Sequence, residues 1–388
     1  MVRVVSHTVP HTVRVIAVVV LVSLLIACGA RPTKGDLTVY VAAPLSGWQA
    51  DGGQTVVGGA RLAAEAINER GGLLGYRVNV VALDDEADSE VAVEVANEVA
   101  AAVQRGEPVL GVIGHYNSGQ AAAALPIYKD LPIIVITPTA SDPSLTAQGY
   151  GNFFRVNATD AAQGPHDARF LVNELGAQRI VVVHANNDYG RGLQQEIVRA
   201  LADLGRPAVA VIEIEEAAVS YADVIPAISD ANPDAIFLAG YETEGYVLLP
   251  ELREAGIDVT FMASDGCFLY EFIDGSGPAA EGAYVSAITP DPKVVADAQW
   301  WREYQEIESR NPGTYSIAGY SAMTVLAEGV KRAGSLDTAA ISRALKQGEL
   351  TTLVGKITYD ERGDLENQQI YIFQVRDGEF VQWTDAEG

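Results

Sequence analysis

Two polar loops in the first half of the chain contain groups that could bind an anion. The first loop, residues 114–120, follows an apolar run and places Ser118 at the start of a predicted helix. Free backbone N–H groups at a helix start and a serine hydroxyl together form an anion site. The alternative is that Ser118 only caps the helix, and one hydroxyl can do both. The second loop, residues 137–143, adds the main chain of Ala140 and the hydroxyl of Ser141.

The second half of the chain offers a carboxylate and two phenols instead. Asp265 follows the apolar run 259–263 and precedes Gly266, so it is either a turn residue or a partner for a ligand ammonium. Tyr189 and Tyr241 follow two other apolar runs and could wall a pocket, each donating a hydroxyl. One half that binds anions and one half that is acidic together predict a site for a zwitterion held between them.

The other reactive side chains are more consistent with structural roles than with catalysis. Past residue 28 the chain contains three histidines, His115, His166 and His184, and lacks the usual motifs of metalloproteases, phosphate loops, dinucleotide sites and serine hydrolases. Asp84 and Asp85 are paired carboxylates, which we interpret as turn residues. His115 could be a general base, but a hydrogen-bonded structural histidine is the simpler interpretation. No spacing supports a metal site, so we predict no enzyme, no cofactor and no metal.

Three further side chains have alternative interpretations. Glu242 and Glu244, next to Tyr241, could select a basic ligand, although acids in the first turn of a helix are ordinary. Cys267 is the only cysteine past Cys28, and no base accompanies it. We therefore interpret it as a small buried apolar residue.

Strands that alternate with helices must position these loops. The predicted strands are 37–43, 77–83, 109–113, 132–137, 180–184, 208–213, 235–239 and 259–263. This alternation predicts parallel sheets covered by helices on both faces, with ligands bound beyond the carboxyl ends of the strands. Because the pattern restarts after Arg155, we expect two such sheets. The tail departs from it, with three predicted helices and then strands 356–359 and 370–375 joined by a hairpin turn at 360–364.

The N-terminal segment is typical of an export signal. Arg3 and Arg14 are its only charged residues, and its apolar run is shorter than the roughly 20 residues needed to span a bilayer. It ends at residues 25–28, Leu-Ile-Ala-Cys, which resembles the bacterial lipobox. We predict that 1–27 is a lipoprotein signal peptide and that Cys28 carries the lipid; the alternative is an uncleaved signal anchor.

The charge of the chain excludes one class of partner. The net charge is −25, and loss of the two signal arginines would make it −27. Nucleic-acid binding requires basic patches, and the sequence has none. The acidity favours solubility without indicating a ligand.

Eight segments, in order between about Leu37 and Phe380, share a family likeness. They are 43–47, 66–72, 84–85, 114–118, 136–141, 188–190, 240–241 and 281–282. Together they resemble the branched-chain amino acid type of ABC-transporter substrate-binding proteins, the type I periplasmic-binding fold. The resemblance implies two doubly wound α/β parallel-sheet lobes joined by a three-strand hinge. The implied division is a tether at 28–36, lobe 1 at 37–155 plus 289–355, and lobe 2 at 156–288 plus 356–388.

The resemblance also implies roles for residues of the first lobe. Ser118 with Ala140 and Ser141 would hold the α-carboxylate of the ligand and share its ammonium. Trp48 and Tyr116 would line the pocket for the ligand side chain.

The other implied site residues complete the pocket. Tyr189 and Tyr241 would close the site from the second lobe, and Asp265 would pair with the ammonium. Asn117 is included because it lies in the same loop as Ser118. Leucine-type members carry Glu at the position of Asp265, so the ligand stays open among branched-chain amino acids, amides, polyols, and basic or aromatic compounds.

The function implied is that of an extracytoplasmic solute-binding protein of an ABC importer. It would capture an amino acid or a related small molecule between its lobes and deliver it to a permease. The alternative is a sensory protein for amides or other small molecules that acts in trans on a signalling partner. We expect an exported monomer, held by lipid on Cys28 at the outer face of the cytoplasmic membrane or in the periplasm.

Overall fold

The computed structural model describes residues 32–384. The predicted signal peptide (1–27), the predicted lipidation site Cys28 and the first residues of the predicted tether lie outside the described residues. Within 32–384, no helix combines the length and the apolar character required to cross a membrane.

The first half of the chain forms one sheet of five parallel strands with helices on both faces. The strands are β1 (Asp36–Ala43), β2 (Arg77–Asp84), β3 (Val109–Ile113), β4 (Ile134–Thr137) and β5 (Phe153–Arg155), in the order β2-β1-β3-β4-β5. The helices are α1 (Ala50–Glu69), α2 (Ser89–Gln104), α3 (Ser118–Tyr128) and α4 (Ser144–Ala147). β3 is almost wholly buried and apolar, as expected for a strand covered on both faces.

The middle of the chain builds a second parallel sheet in the same way. Its strands are β6 (Ile180–Ala185), β7 (Ala210–Ile214), β8 (Ala235–Ala239), β9 (Thr260–Ala263) and β10 (Tyr284–Ala287). The helices are α5 (Asp160–Arg169), α6 (Asp188–Asp203), α7 (Ile225–Asp230), α8 (Glu242–Glu254) and α9 (Tyr270–Ser276). A π-helical turn, Phe170–Glu174, extends α5.

The C-terminal region adds two strands to the second sheet and helices that pack beside the first. Its elements are α10 (Pro292–Val295), α11 (Ala298–Glu308), α12 (Ser316–Ala333), α13 (Thr338–Leu345), β11 (Leu350–Thr352), β12 (Gly355–Ile357), β13 (Tyr371–Arg376) and β14 (Glu379–Gln382). β13 pairs antiparallel with β10 and β14, which gives the second sheet the order β14-β13-β10-β9-β8-β6-β7. β11 and β12 form a separate hairpin.

The long helix α12 packs closely against α1 and so belongs with the first sheet. A Cβ atom added to Gly59 would lie 1.8 Å from the carbonyl oxygen of Ser316, and one added to Gly319 would lie 2.0 Å from that of Val56. Only glycine permits this approach of two helix backbones. The chain therefore crosses three times between two α/β lobes, and the predicted fold class is confirmed. We call the lobe around β1–β5 the first lobe and the lobe around β6–β10 the second lobe.

The predicted strand pairing in the tail is wrong. The predicted strands 356–359 and 370–375 do not pair, because β12 pairs with β11 and β13 pairs with β10. Residues 360–364 do form a tight turn, in which the backbone N–H of Gly363 donates to the carbonyl of Asp360.

The third crossing between the lobes also lies later in the chain than predicted. Ile357, Tyr359 and Leu365 pack into the core of the first lobe, although the sequence analysis assigned residues after 355 to the second lobe. The chain reaches the second sheet only at Tyr371. The other predicted lobe boundaries stay predictions.

Candidate functional site

A narrow cavity lies between the two lobes. The cavity is lined by Tyr116, Asn117, Ser118, Thr139, Ala140, Ser141, Tyr189, Tyr241, Asp265, Gly266 and Tyr315. The structure thus brings together eight of the nine predicted site residues. The ninth, Trp48, packs behind Tyr241 with 5.6 Å between the ring centroids.

Ser118 joins the two polar loops of the first lobe. It is the first residue of α3, and the N-cap position belongs to Asn117, so the alternative interpretation, that Ser118 only caps the helix, is wrong. Its Oγ instead accepts hydrogen bonds from the backbone N–H groups of Ser141 and Asp142, both at 3.3 Å. The hydroxyl therefore fixes the second loop against the start of the helix and keeps its own proton available for another acceptor.

Two threonines hold the same loops in shape. Thr137 Oγ1 donates to the carbonyl of His115 and accepts from the backbone N–H of Ala140, both at 2.9 Å. Thr139 Oγ1 donates to the carbonyl of Tyr116 at 2.5 Å. The first-lobe wall is therefore a hydrogen-bonded unit whose shape is set before any ligand arrives.

Arg155 supports this wall from behind. It ends β5, is fully buried, and its Nε donates to Asp364 Oδ1 at 2.7 Å. Its two terminal nitrogens donate to the carbonyls of Ala140, at 2.7 Å, and Asp142, at 2.6 Å. One guanidinium thus ties the binding loop to residues at the first and third crossings between the lobes.

Asp265 is the central group of the second-lobe wall. It follows β9, and only 5 % of its surface is exposed. Its Oδ1 accepts a hydrogen bond from the hydroxyl of Tyr189 at 2.5 Å, and the hydroxyl of Tyr315, from the first lobe, donates to its carbonyl at 2.6 Å. Burial raises the pKa of Asp265 to about 6, a rise that the bond from Tyr189 opposes. At neutral pH the side chain is therefore mainly a buried carboxylate.

Three aromatic rings from both lobes pack together, and two of them line the cavity. Tyr189 and Tyr241 are stacked, with 5.0 Å between their centroids, and Trp48 tilts onto the outer side of Tyr241. Trp48 belongs to the loop after β1, so this contact crosses between the lobes. Its ring packs with the apolar cluster of the second lobe and does not line the cavity.

Asp160 is a second buried carboxylate that the sequence analysis missed. It is the first residue of α5 and fully buried, and neither of its carboxylate oxygens has a hydrogen-bond partner among residues 32–384. Burial raises its pKa well above the usual range, and the carboxylate of Asp265 adds to this rise. Its place just after the first crossing was the available signal, but acids at helix starts are common.

The residues considered for catalysis have structural surroundings. His115 is buried, with Nδ1 2.7 Å from Asp85 Oδ2 and Nε2 3.2 Å from the hydroxyl of Tyr128. Asp84 Oδ1 accepts hydrogen bonds from the backbone N–H groups of Leu45 and Glu86. None of these side chains lines the cavity.

The other reactive groups fit the same description. Cys267 is fully buried, as predicted, and burial raises the pKa of its thiol. In the part of the chain that the structure describes, no three His, Cys, Asp or Glu side chains are arranged to bind a metal ion.

A two-lobed α/β clamp with polar loops at both facing sheet edges defines a binding protein. The family model described as "Periplasmic binding protein" matches residues 37–379, and the chain belongs to this family. Its members bind solutes and are not enzymes, which confirms that prediction.

Named relatives support the same conclusion. The chain is 31 % identical over 342 residues to the leucine-, isoleucine-, valine-, threonine- and alanine-binding protein of Pseudomonas aeruginosa, covering 87 % of this chain and 89 % of that protein. It is 30 % identical over 338 residues to the Leu/Ile/Val-binding protein of Escherichia coli, covering 87 % and 90 %. The crystal structure of the leucine-binding protein LivK of Thermotoga maritima matches with a TM-score of 0.80 and 28 % identity, covering 90 % of this chain and 98 % of that one.

Proposed function

We propose that this protein is the solute-binding component of an ABC importer and that it captures a free amino acid between its lobes. One observation carries the proposal: the cavity has a neutral wall of donors on one side and the buried carboxylate of Asp265 on the other. The names of the relatives above, which refer to amino acids, support the same ligand class.

The first-lobe wall suits the α-carboxylate. We assign this group to the hydroxyl of Ser118, to the hydroxyl of Ser141 and to the backbone around Ala140, all of which border the cavity. Hydrogen bonds to an ionised partner contribute about 1.5–3 kcal/mol, more than bonds between neutral groups. Because Arg155 and the two threonines already fix the loop, little conformational entropy is lost when the ligand binds.

The second-lobe wall suits the α-ammonium. Asp265 is ionised at neutral pH and has one carboxylate oxygen bonded to Tyr189, which leaves capacity for a cationic donor. Asp160 lies close enough to Asp265 for repulsion between the two carboxylates to add to the raised pKa of Asp160. We propose that both carboxylates face the ammonium, because a cation between them relieves that repulsion and the cost of burial.

The two walls belong to different lobes, so a zwitterion that touches both favours the closed clamp. This is a shift of a hinge equilibrium by the differential affinity of the ligand for the closed state. Tyr315 and Trp48 contact the second lobe from the first, and these contacts would further stabilise the closed state.

The test is calorimetry of the purified protein with the common L-amino acids and with matched derivatives of the tightest one. The N-acetyl derivative removes the positive charge, and the α-amide removes the carboxylate. We expect submillimolar binding of at least one amino acid and loss of most of that affinity in each derivative. Tight binding of a polyol or an aromatic acid, with no amino acid bound, would overturn the assignment.

We further propose that the protein is exported, monomeric and anchored through lipid on Cys28, and that a permease receives its ligand. The support is the basic and apolar segment before Cys28 and the family to which the chain belongs. Metabolic labelling with palmitate should mark the wild-type protein and not the Cys28→Ala variant. Labelling of both proteins, or of neither, would contradict the lipid anchor without affecting the ligand assignment.

A further inference from the structure

Glu242 is a buried acid at the edge of the ligand site that the zwitterion model leaves without a role. It is the first residue of α8 and directly follows Tyr241, a wall of the cavity. Only 3 % of its surface is exposed, and its Oε2 has no hydrogen-bond partner among residues 32–384. The hydroxyl of the next residue, Thr243, is also buried without a partner there. Buried polar atoms are normally satisfied, and an unpaired buried charge is costly.

Glu244, two residues after Glu242 in the same helical turn, shows how a structural acid in this turn is hydrogen-bonded. It is fully buried too, but its Oε1 accepts from the backbone N–H of Ala217 at 2.6 Å and its Oε2 from that of Tyr241 at 2.7 Å. Both oxygens of Glu244 are therefore used by the fold. The usual role of an acid in a first helical turn accounts for Glu244 and leaves Glu242 unexplained.

The charged groups that act most strongly on Glu242 are acids. They are Glu244, Glu271 and Asp51. Asp51 is itself paired with Arg310. No ion pair of Glu242 exists among residues 32–384.

Glu242 also lies near the part of the cavity that is formed by Tyr116. Burial raises the pKa of Tyr116, and among the charged groups Glu242 adds more to that rise than Asp265 does. Tyr116 belongs to the first lobe and lines the cavity, so the carboxylate of Glu242 lies near the boundary between the lobes.

We propose that Glu242 receives a positively charged group on the ligand side chain, so that the preferred ligand is a basic amino acid with an ammonium or guanidinium. This inference rests on the proposed function, because the α-groups must first be held as described above. A basic side chain supplies the donors that Glu242 and Thr243 lack. An aliphatic side chain would leave both groups buried and unpaired.

The experiment compares lysine, arginine, glutamine and leucine by calorimetry against wild type, Glu242→Gln and Glu254→Gln. Glu254 is an exposed acid at the far end of the same helix, so its variant changes the net charge equally without touching the cleft. Wild type should bind lysine or arginine more tightly than leucine. Glu242→Gln should weaken that binding by about thirtyfold or more, as when one partner of a desolvated pair is removed, and leave leucine unchanged or tighter. Glu254→Gln should behave as wild type, and equal melting temperatures exclude misfolding.

The remaining outcomes separate this inference from the proposed function. Tight binding of leucine with no binding of lysine or arginine overturns the role of Glu242 and leaves the amino acid site intact. Glutamine bound as tightly as lysine, with both weakened equally in Glu242→Gln, overturns the requirement for a cation. If no amino acid binds, both conclusions fail.

Discussion

The two walls of the cleft differ in how completely the protein satisfies its own polar groups. In the first lobe, Ser118, Thr137 and Thr139 are all hydrogen-bonded to loop backbone, and Arg155 holds the same loop. In the second lobe, the carboxylates of Asp160 and Glu242 contain buried oxygens without partners in the described chain. The comparison teaches that the polar groups of one wall are satisfied in the absence of ligand, whereas under the proposed function those of the other wall obtain their missing partners from the ligand.

The largest effect on this difference between the walls is expected when the support of the first-lobe wall is removed. Arg155→Met leaves Asp364 buried without its partner and releases the carbonyls of Ala140 and Asp142. We expect the free energy of unfolding to fall by about 3–5 kcal/mol, measured by urea denaturation. The control is Arg362→Met, since Arg362 forms an exposed pair with Asp360 that is worth at most about 1 kcal/mol. Equal losses in the two variants would show that Arg155 does not support the wall.

Asp265→Asn tests the second-lobe wall. Loss of the charge opposite the ligand ammonium should weaken binding of the best amino acid by about 2–5 kcal/mol, or at least thirtyfold, measured by calorimetry. The same change should stabilise the ligand-free protein at pH 7, by up to about 3 kcal/mol, because a buried carboxylate with a raised pKa is removed. A variant that is less stable and binds normally would contradict both halves of the comparison.

The pH dependence sharpens this test. The pKa of Asp265 is about 6 in the folded protein and about 4 when unfolded, so the folded form holds the proton more tightly. Its contribution to stability is therefore full below pH 4 and is lost as the pH rises through 6. Affinity for an ammonium changes in the opposite direction and falls as the pH drops below 6. Both slopes between pH 4 and 7 should flatten in Asp265→Asn, measured by denaturation and calorimetry.

Ser118→Ala should have a smaller effect on binding, one that does not depend on pH. Removal of a hydroxyl that meets an ionised carboxylate should cost about 1.5–3 kcal/mol of binding free energy, measured by calorimetry at pH 5.5 and 7.5. Ser144→Ala is the matched control, because Ser144 is exposed and its side chain bonds only to Asp142. A pH-dependent loss in Ser118→Ala would show that this wall is also governed by a titrating group.

The smallest effect is expected at the aromatic contact that joins the two walls. Trp48→Leu removes the ring that packs on Tyr241 and should weaken binding by about 0.5–1.5 kcal/mol. Trp48→Phe keeps an aromatic ring and should retain most of the affinity in the same calorimetric assay. An equal loss in both variants would indicate that the indole contacts the ligand directly.

Much of the fold could be predicted from the sequence, because its signals are local. The eight parallel strands predicted from apolar runs all occur, with ends shifted by at most two residues. Strands β5 and β10 were missed because they have three and four residues and are held by pairing with distant neighbours. The tail was misjudged for the same reason, since β13 pairs with β10 and nothing in its own residues specifies that partner.

The residues of the candidate site also separate into those with a local sequence signal and those that depend on distant contacts. Ser118, Tyr241 and Asp265 were found because each closely follows the carboxyl end of a strand, where parallel sheets place their ligands. Asp160 was missed because its burial depends on segments distant in sequence, such as the loop of Ser141, whose carbonyl accepts from its backbone N–H. The contrast between Glu242 and Glu244 was equally out of reach, since it depends on backbone N–H groups of residues 217 and 241.

The guanidinium of Arg155 has a consequence for anyone who wishes to redesign this clamp as a sensor. Arg155 bonds both to Asp364, near the third crossing, and to the loop assigned to the ligand carboxylate. A substitution there would therefore alter the hinge and ligand binding together. In the second lobe, Glu242 and Asp265 can be changed independently, because they belong to different elements. Under the proposed function, substitutions that change selectivity therefore belong there, because they leave the hinge and the loop assigned to the α-carboxylate unchanged.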